Sequence, residues 1–136
     1  MPELPEVETV RKGLEKLTNN FYISKINVLK ERSIASTGGS KTFINNIEKS
    51  YIGNWERRGK YLIGSLKTIS KISKGFLVVH LRMTGQFKLI DKKTVPCTHT
   101  RVRFFGNEGK ELRFIDIRNF GKMWYVPSTG SVPEVV

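Results

Sequence analysis

Residues 75–90 read GFLVVHLRMTGQFKLI. An apolar run over 76–81 opens on Gly75, a short turn closes on Gly85, and a second run covers 85–90. Each run has strand length, and glycine punctuates both. The same grammar extends in both directions. Strands are expected at about 54–57 and 60–67 before this stretch, and at 100–105, 111–116 and 122–126 after it. Gly59, the Asn107–Gly109 stretch and Gly121 supply further breaks. Many short strands with glycine turns point to a sandwich or barrel.

Toward the N-terminus the period changes. Val7, Val10, Leu14 and Leu17 fall on one stripe, which predicts a helix over 2–18. Pro5 suits its first turn, and Glu6 and Glu8 suit its positive end. From Tyr22 to Leu29 the period is near two, with Ile26 and Val28 alternating against Lys25 and Asn27, so this segment predicts one strand. Residues 31–41 are rich in Ser, Thr and Gly and predict a loop; Phe43, Ile44 and Ile47 fit a short helix before Gly53. The expected fold is therefore mainly β with α: a β-sandwich of about eight short antiparallel strands, with the N-terminal helix packed at its edge. Residues 127–136, PSTGSVPEVV, lose the pattern and carry two prolines, which suggests the start of a linker after a 1–126 domain.

The chain has 136 residues, with 24 Lys and Arg against 12 Asp and Glu, a net charge of +12. Such a surplus suits a polyanionic partner, most often nucleic acid. Cys97 is the single cysteine, which excludes a disulfide framework and a four-cysteine zinc site within this chain. No apolar run approaches membrane-span length, and the acidic N-terminus MPELPEVETV lacks the apolar core of a secretory signal. A cytoplasmic protein without a membrane partner is expected.

Against the basic background, Glu3, Glu6 and Glu8 crowd the first eight residues. Helix capping accounts for Glu6 and Glu8 but poorly for Pro2 and Glu3. Removal of Met1 leaves Pro2 with a free secondary amine; an α-amino group titrates at about 7.7–8.0, so a usable fraction is neutral near pH 7. A neutral amine can form a Schiff base with a carbonyl carbon, and a neighbouring carboxylate can move protons. With Met1 retained, the nitrogen is an amide and cannot attack.

MPELPEVETVRKGL resembles the N-terminus of formamidopyrimidine-DNA glycosylases, bacterial repair enzymes for oxidised purines. RRGKYL at 57–62, HLRMTG at 80–85 and DIRNFG at 116–121 match the same family in its order. The resemblance covers the family's N-terminal domain alone; the helix–two-turn–helix unit and the four-cysteine zinc finger of its second half are absent from this chain. It implies a bifunctional glycosylase and abasic-site lyase acting on damaged double-stranded DNA as a monomer. No cofactor is implied for catalysis, and structural zinc is expected only in the C-terminal half.

Residue by residue, the resemblance implies Pro2 as nucleophile, Glu3 as acid/base, and Glu6 as a supporting acid. Lys60 is implied to contact the damaged nucleotide, with a solvated surface lysine as the plain alternative; Arg57 and Arg58 add two charges to the same turn, and that cluster favours phosphate binding. His80 and His99 match DNA-contacting histidines, although a hydrogen-bonded structural histidine and a plain surface histidine are the simpler alternatives. Met83 matches the residue that fills the gap left by a flipped base, with Arg118 facing the orphaned base and Phe120 wedged between pairs. Asn119 stands where relatives often carry a second basic residue. The rival within the family is the endonuclease VIII-type branch for oxidised pyrimidines, disfavoured by PELPE in place of PEGPE. A non-catalytic basic nucleic-acid-binding module is the rival from another class.

Overall fold

A computed structural model of the protein describes residues 3–129. Helix α1, Leu4–Leu17, is followed by strands β1, Tyr22–Ile23, and β2, Lys25–Val28. A 3-10 turn at Glu31–Ser33 leads to helix α2, Gly39–Ile47. Seven strands follow: β3 Ser50–Arg58, β4 Tyr61–Lys67, β5 Ser73–His80, β6 Gly85–Ile90, β7 Thr100–Phe105, β8 Glu111–Asp116 and β9 Lys122–Val126. They form two antiparallel sheets, ordered β1-β3-β4-β5-β9 and β2-β7-β8-β6.

Alternation along each strand sends one set of side chains between the sheets. Trp55, Leu62, Leu66, Leu77, Val79, Val102, Phe104, Leu112, Phe114 and Met123 make that core. A smaller apolar cluster of Ile63, Val78 and Val126, with Tyr61, Phe76 and Trp124 packed on it, lies on the outer face of the five-stranded sheet.

β1 pairs with Ser50 and Tyr51, and the Phe21 carbonyl accepts the Ile52 N–H at 3.0 Å, which leaves β3 from Gly53 onward as an open edge. Unpaired edge groups invite partners, and α1 supplies them. Glu15 accepts the Trp55 N–H at 3.1 Å, and Arg11 donates to the Trp55 carbonyl at 3.3 Å. The Trp55 indole donates to the buried Thr18 hydroxyl at 2.9 Å. The helix lies at the sandwich edge as expected, for a reason composition could not show.

Four details depart from the sequence expectation. The single strand over 22–29 is two, because Ser24 is where the chain leaves one sheet for the other; β1 pairs with β3 and β2 with β7. The described residues accordingly hold nine strands. β3 begins at Ser50 and runs through Gly53, the predicted break, which sits at a register shift between Ile52 and Trp55. A Cβ there would meet Ser65 Oγ at 2.5 Å, so the glycine serves close strand packing rather than termination. Residues 31–41 are not all loop: Glu31 caps α2 by accepting the Ser40 N–H at 2.9 Å. Leu17, placed on the buried stripe, is 42% exposed, because the α1 terminus turns Thr18 inward instead.

Candidate nucleic-acid interface

Pairing register gathers the candidate residues at one end of the sandwich. Arg58 stands opposite Tyr61, Tyr61 opposite His80, and His80 opposite Lys122. The turn from β5 into β6 starts from that row, and the turn from β8 into β9 returns to it. Gly85 faces Asp116 across β6 and β8, and Thr100 faces Ile115 across β7 and β8. Turns 59–60, 81–84 and 117–121 thus share one end with the loop before β7.

The N-terminal end of α1 joins them through Glu8, just past its first turn. Arg57 bonds Glu8 at 3.2 Å and donates to the Gly59 carbonyl at 3.1 Å. Arg11 bonds the same carboxylate at 2.8 Å. The hydrogen bond from Arg11 foremost, joined by Arg57 and opposed by partial burial, holds the Glu8 carboxyl at about 2. Glu3 is the exposed N-cap, and its side chain makes no capping bond. Glu6 is also exposed in that turn. Pro2, the expected nucleophile, lies outside the described residues, as do positions 130–136 of the expected linker.

Lys60 sits in the hairpin turn after Gly59, whose φ of 60° suits glycine. Arg58 ends β3 exposed, whereas Arg57 is engaged with Glu8 and Gly59, so its guanidinium braces the helix against the hairpin. His99 is exposed just before β7, and its carbonyl accepts the Asp116 N–H at 2.9 Å.

His80 is 7% exposed, with its ring edge-on to Tyr61 at 4.9 Å between centroids. Its Nδ1 accepts the Arg82 N–H at 3.0 Å, which leaves Nε2 to carry the proton of the neutral ring. Burial, with Arg82 and Lys60 nearby, pushes the imidazole down to about 4. Between pH 6.5 and 4 the unfolded chain binds this proton and the folded chain does not, so stability falls as pH falls through that window. At about 1.4 kcal/mol per pH unit, the loss approaches roughly 3 kcal/mol. Urea unfolding at pH 7 and pH 4.5 is expected to show a drop about 2 kcal/mol larger in the native chain than in His80→Gln; equal drops would refute the linkage.

Met83 and Phe120 are 45% and 39% exposed on their turns, where core residues would be covered. The Phe120 ring has the Arg118 guanidinium at 5.5 Å and that of Arg32 at 5.6 Å. Arg32, Arg82 and Lys122 were not singled out by the sequence. Lys122 donates to the Arg32 carbonyl at 2.6 Å, and burial, followed by Arg32 and Arg82, lowers its amine. These three cations extend the basic end beyond Arg58, Lys60 and Arg118. Arg32 carried no sequence signal, since it falls in a stretch predicted as loop. Lys122 could have been suspected as the first residue of a strand leaving the Phe120 turn.

Among the described residues no group of three His, Cys, Asp or Glu could hold a metal, and no helix is long and apolar enough to cross a membrane. The end of the sandwich is instead a cationic surface with two exposed apolar side chains on adjacent turns. Such a combination suits a polyanion with a stack to enter.

Residues 1–123 match the family model for the formamidopyrimidine-DNA glycosylase N-terminal domain. A Prochlorococcus marinus NATL1A formamidopyrimidine-DNA glycosylase is 76% identical over the whole chain, which covers 48% of that relative. One from Parasynechococcus marenigrum WH8102 is 51% identical over 93% of this chain and 44% of its own length. This chain spans about half the length of these curated relatives. Among solved structures, MutM in complex with DNA containing carbocyclic 8-oxo-G superposes with a TM-score of 0.86 at 29% identity, over 98% of this chain and 47% of that one. A Lactococcus lactis formamidopyrimidine-DNA glycosylase bound to DNA with an abasic site gives 0.85 at 28% identity, over 98% and 48%.

Proposed function

Because the chain belongs to the formamidopyrimidine-DNA glycosylase N-terminal domain family, we propose that it is the catalytic half of a bifunctional glycosylase and abasic-site lyase for oxidised purines. The observation that carries this reading is the shared end of the sandwich. Exposed Met83 and Phe120, the basic residues Arg58, Lys60 and Arg118, and the N-terminal end of α1 share that end.

In this reading, the secondary amine of Pro2, free once Met1 is removed, attacks C1′ of the damaged nucleotide. The C1′–base bond breaks, and the base leaves with the bonding electrons and takes up a proton. The nitrogen then gives up its proton and the C1′–O4′ bond breaks, with O4′ taking up a proton, which leaves an iminium at C1′. The iminium acidifies C2′–H, whose loss breaks the C3′–O bond to one phosphate, and loss of C4′–H in turn breaks the C5′–O bond to the other. Glu3 and Lys60 supply and accept protons through these steps. Met83 and Phe120 fill the space the extruded nucleotide vacates, and Arg118 faces the base left behind. The lesion sugar supplies the electrophile and the protein supplies the amine, so the chemistry needs no cofactor. A four-cysteine finger belongs to a segment outside this chain, whose lone cysteine cannot form one. The protein acts as a cytoplasmic monomer on duplex DNA.

The test is borohydride trapping on abasic duplex DNA. It uses this chain joined to the C-terminal half of its P. marinus NATL1A relative, with Met1 absent. A covalent protein–DNA adduct is expected, and Pro2→Gly should lower its formation while DNA binding persists. Absence of any adduct in a protein that binds the duplex would favour a non-catalytic basic module instead.

A further inference from the structure

The two turns that carry the inserting side chains are joined beneath the surface. Asp116, the last residue of β8, is fully buried. One carboxylate oxygen accepts the Thr84 hydroxyl at 2.5 Å, and the other accepts the Gly121 N–H at 2.7 Å. The Thr84 oxygen in turn accepts the Arg118 N–H at 3.0 Å. One carboxylate and one hydroxyl therefore tie the Met83 turn to both ends of the Arg118–Phe120 turn. Arg101, itself buried, donates to the carbonyls of Asp116 and Ile117 at 2.8 and 3.4 Å and braces the strand end.

Packing repeats the tie. A Cβ on Gly85 would meet Phe114 Cζ at 2.9 Å, and one on Gly121 would meet the same atom at 2.7 Å. Both turns close over a single aromatic ring. Each also contains a non-glycine residue in the left-handed region, Arg82 at φ 55° and Asn119 at φ 58°. Such conformations persist only where surrounding contacts over-determine them. Arg82 donates its N–H to His80 Nδ1 at 3.0 Å and Asn119 accepts the Ser33 hydroxyl at 3.3 Å, while Asp116 and Thr84 bond Arg118 and Gly121 on either side of Asn119.

We propose that Asp116 and Thr84 are positioning residues that lock the Met83 turn to the Arg118–Phe120 turn, so that the three side chains enter the DNA stack as one rigid unit. The inference rests on the glycosylase reading for its consequence, and on these contacts alone for the lock. Neither residue touches the reacting atoms; both act through the turns they join.

Thr84→Val keeps the shape but leaves the Arg118 N–H and one Asp116 oxygen unpaired, whereas Thr84→Ser keeps the hydroxyl. In the 136-residue chain, amide hydrogen exchange at Arg118 and Gly121 is expected to speed at least ten-fold in Thr84→Val and to stay near native in Thr84→Ser. Thr84→Ala serves as the second variant if valine packs badly. Unchanged exchange in both the valine and alanine variants would overturn the lock. In the joined two-domain protein, single-turnover excision of an oxidised purine should fall at least ten-fold in Thr84→Val. Trapping on an already abasic site, where no base must be extruded, should fall several-fold less. Equal losses on both substrates, or a serine variant as impaired as valine, would overturn the positioning role. If the unsubstituted joined protein fails to trap abasic DNA, the glycosylase reading fails instead, and exchange alone decides whether the turns are locked.

Discussion

Glu3→Gln in the joined two-domain protein is expected to bind lesion DNA with near-native affinity and to lose turnover by about 10²- to 10⁴-fold, the usual range for a general acid–base group. The glutamine amide keeps the size of the carboxylate and one acceptor oxygen, replaces the other with an NH2 donor, and cannot act as an acid or base near neutral pH. A purely structural role predicts a different result. As N-cap, Glu3 contributes its carbonyl, which accepts the Val7 N–H at 3.0 Å, and its side chain makes no capping bond. The substitution leaves that backbone bond in place, so helix stability should hardly change. Single-turnover excision and equilibrium binding, measured on the same duplex, separate the two. Excision within a few-fold of native would remove Glu3 from the catalytic set.

Phe114→Ala and Phe120→Ala should part company sharply, although the residues stand six positions apart. Phe114 is fully buried between the sheets, near Phe87 at 5.3 Å between ring centroids and beneath Gly85 and Gly121. Truncating it removes apolar burial and leaves a cavity, at a cost of about 3–5 kcal/mol. It should also free both turns, since each closes on its ring. Phe120 is exposed, and its partners are the guanidiniums of Arg32 and Arg118. Exposed cation–π pairs contribute about 0.5–1 kcal/mol each, so losing both should cost no more than about 2 kcal/mol. Urea unfolding of the two variants checks this. A loss of several kcal/mol in Phe120→Ala would make it a core residue and defeat its assignment as a wedge.

The contrast shows why neighbouring residues of one type needed different evidence. Phe114 falls inside the strand expected at 111–116, and packing between the sheets buries it fully. Phe120 follows the strand, where alternation has no jurisdiction; its motif, DIRNFG, pointed to a wedge only through family resemblance. Met83 is the same case in HLRMTG. Exposure on adjacent turns is a tertiary fact, and it agrees with that assignment without testing the chemistry.

Local periodicity did determine a great deal. The 3.6-residue stripe located α1, period two located most strands, and glycines marked most hairpins. A charge of +12 with acids crowded at the N-terminus set the electrostatic character before any folding. What the chain alone could not declare was which strand joins which sheet. Tyr22–Leu29 reads as one strand because period two is indifferent to partner, and only pairing with Tyr51 on one side and Phe105 on the other divides it. The same holds for Asp116, Thr84, Arg32 and Lys122. Their roles depend on turns distant in sequence closing at one end of the sandwich, as between Thr84 and Asp116, 32 residues apart. Propensity and alternation act over neighbouring residues, whereas hydrogen bonds between turns exist only after both sheets have packed. The elements were therefore properties of the sequence, and the interface was a property of their closure.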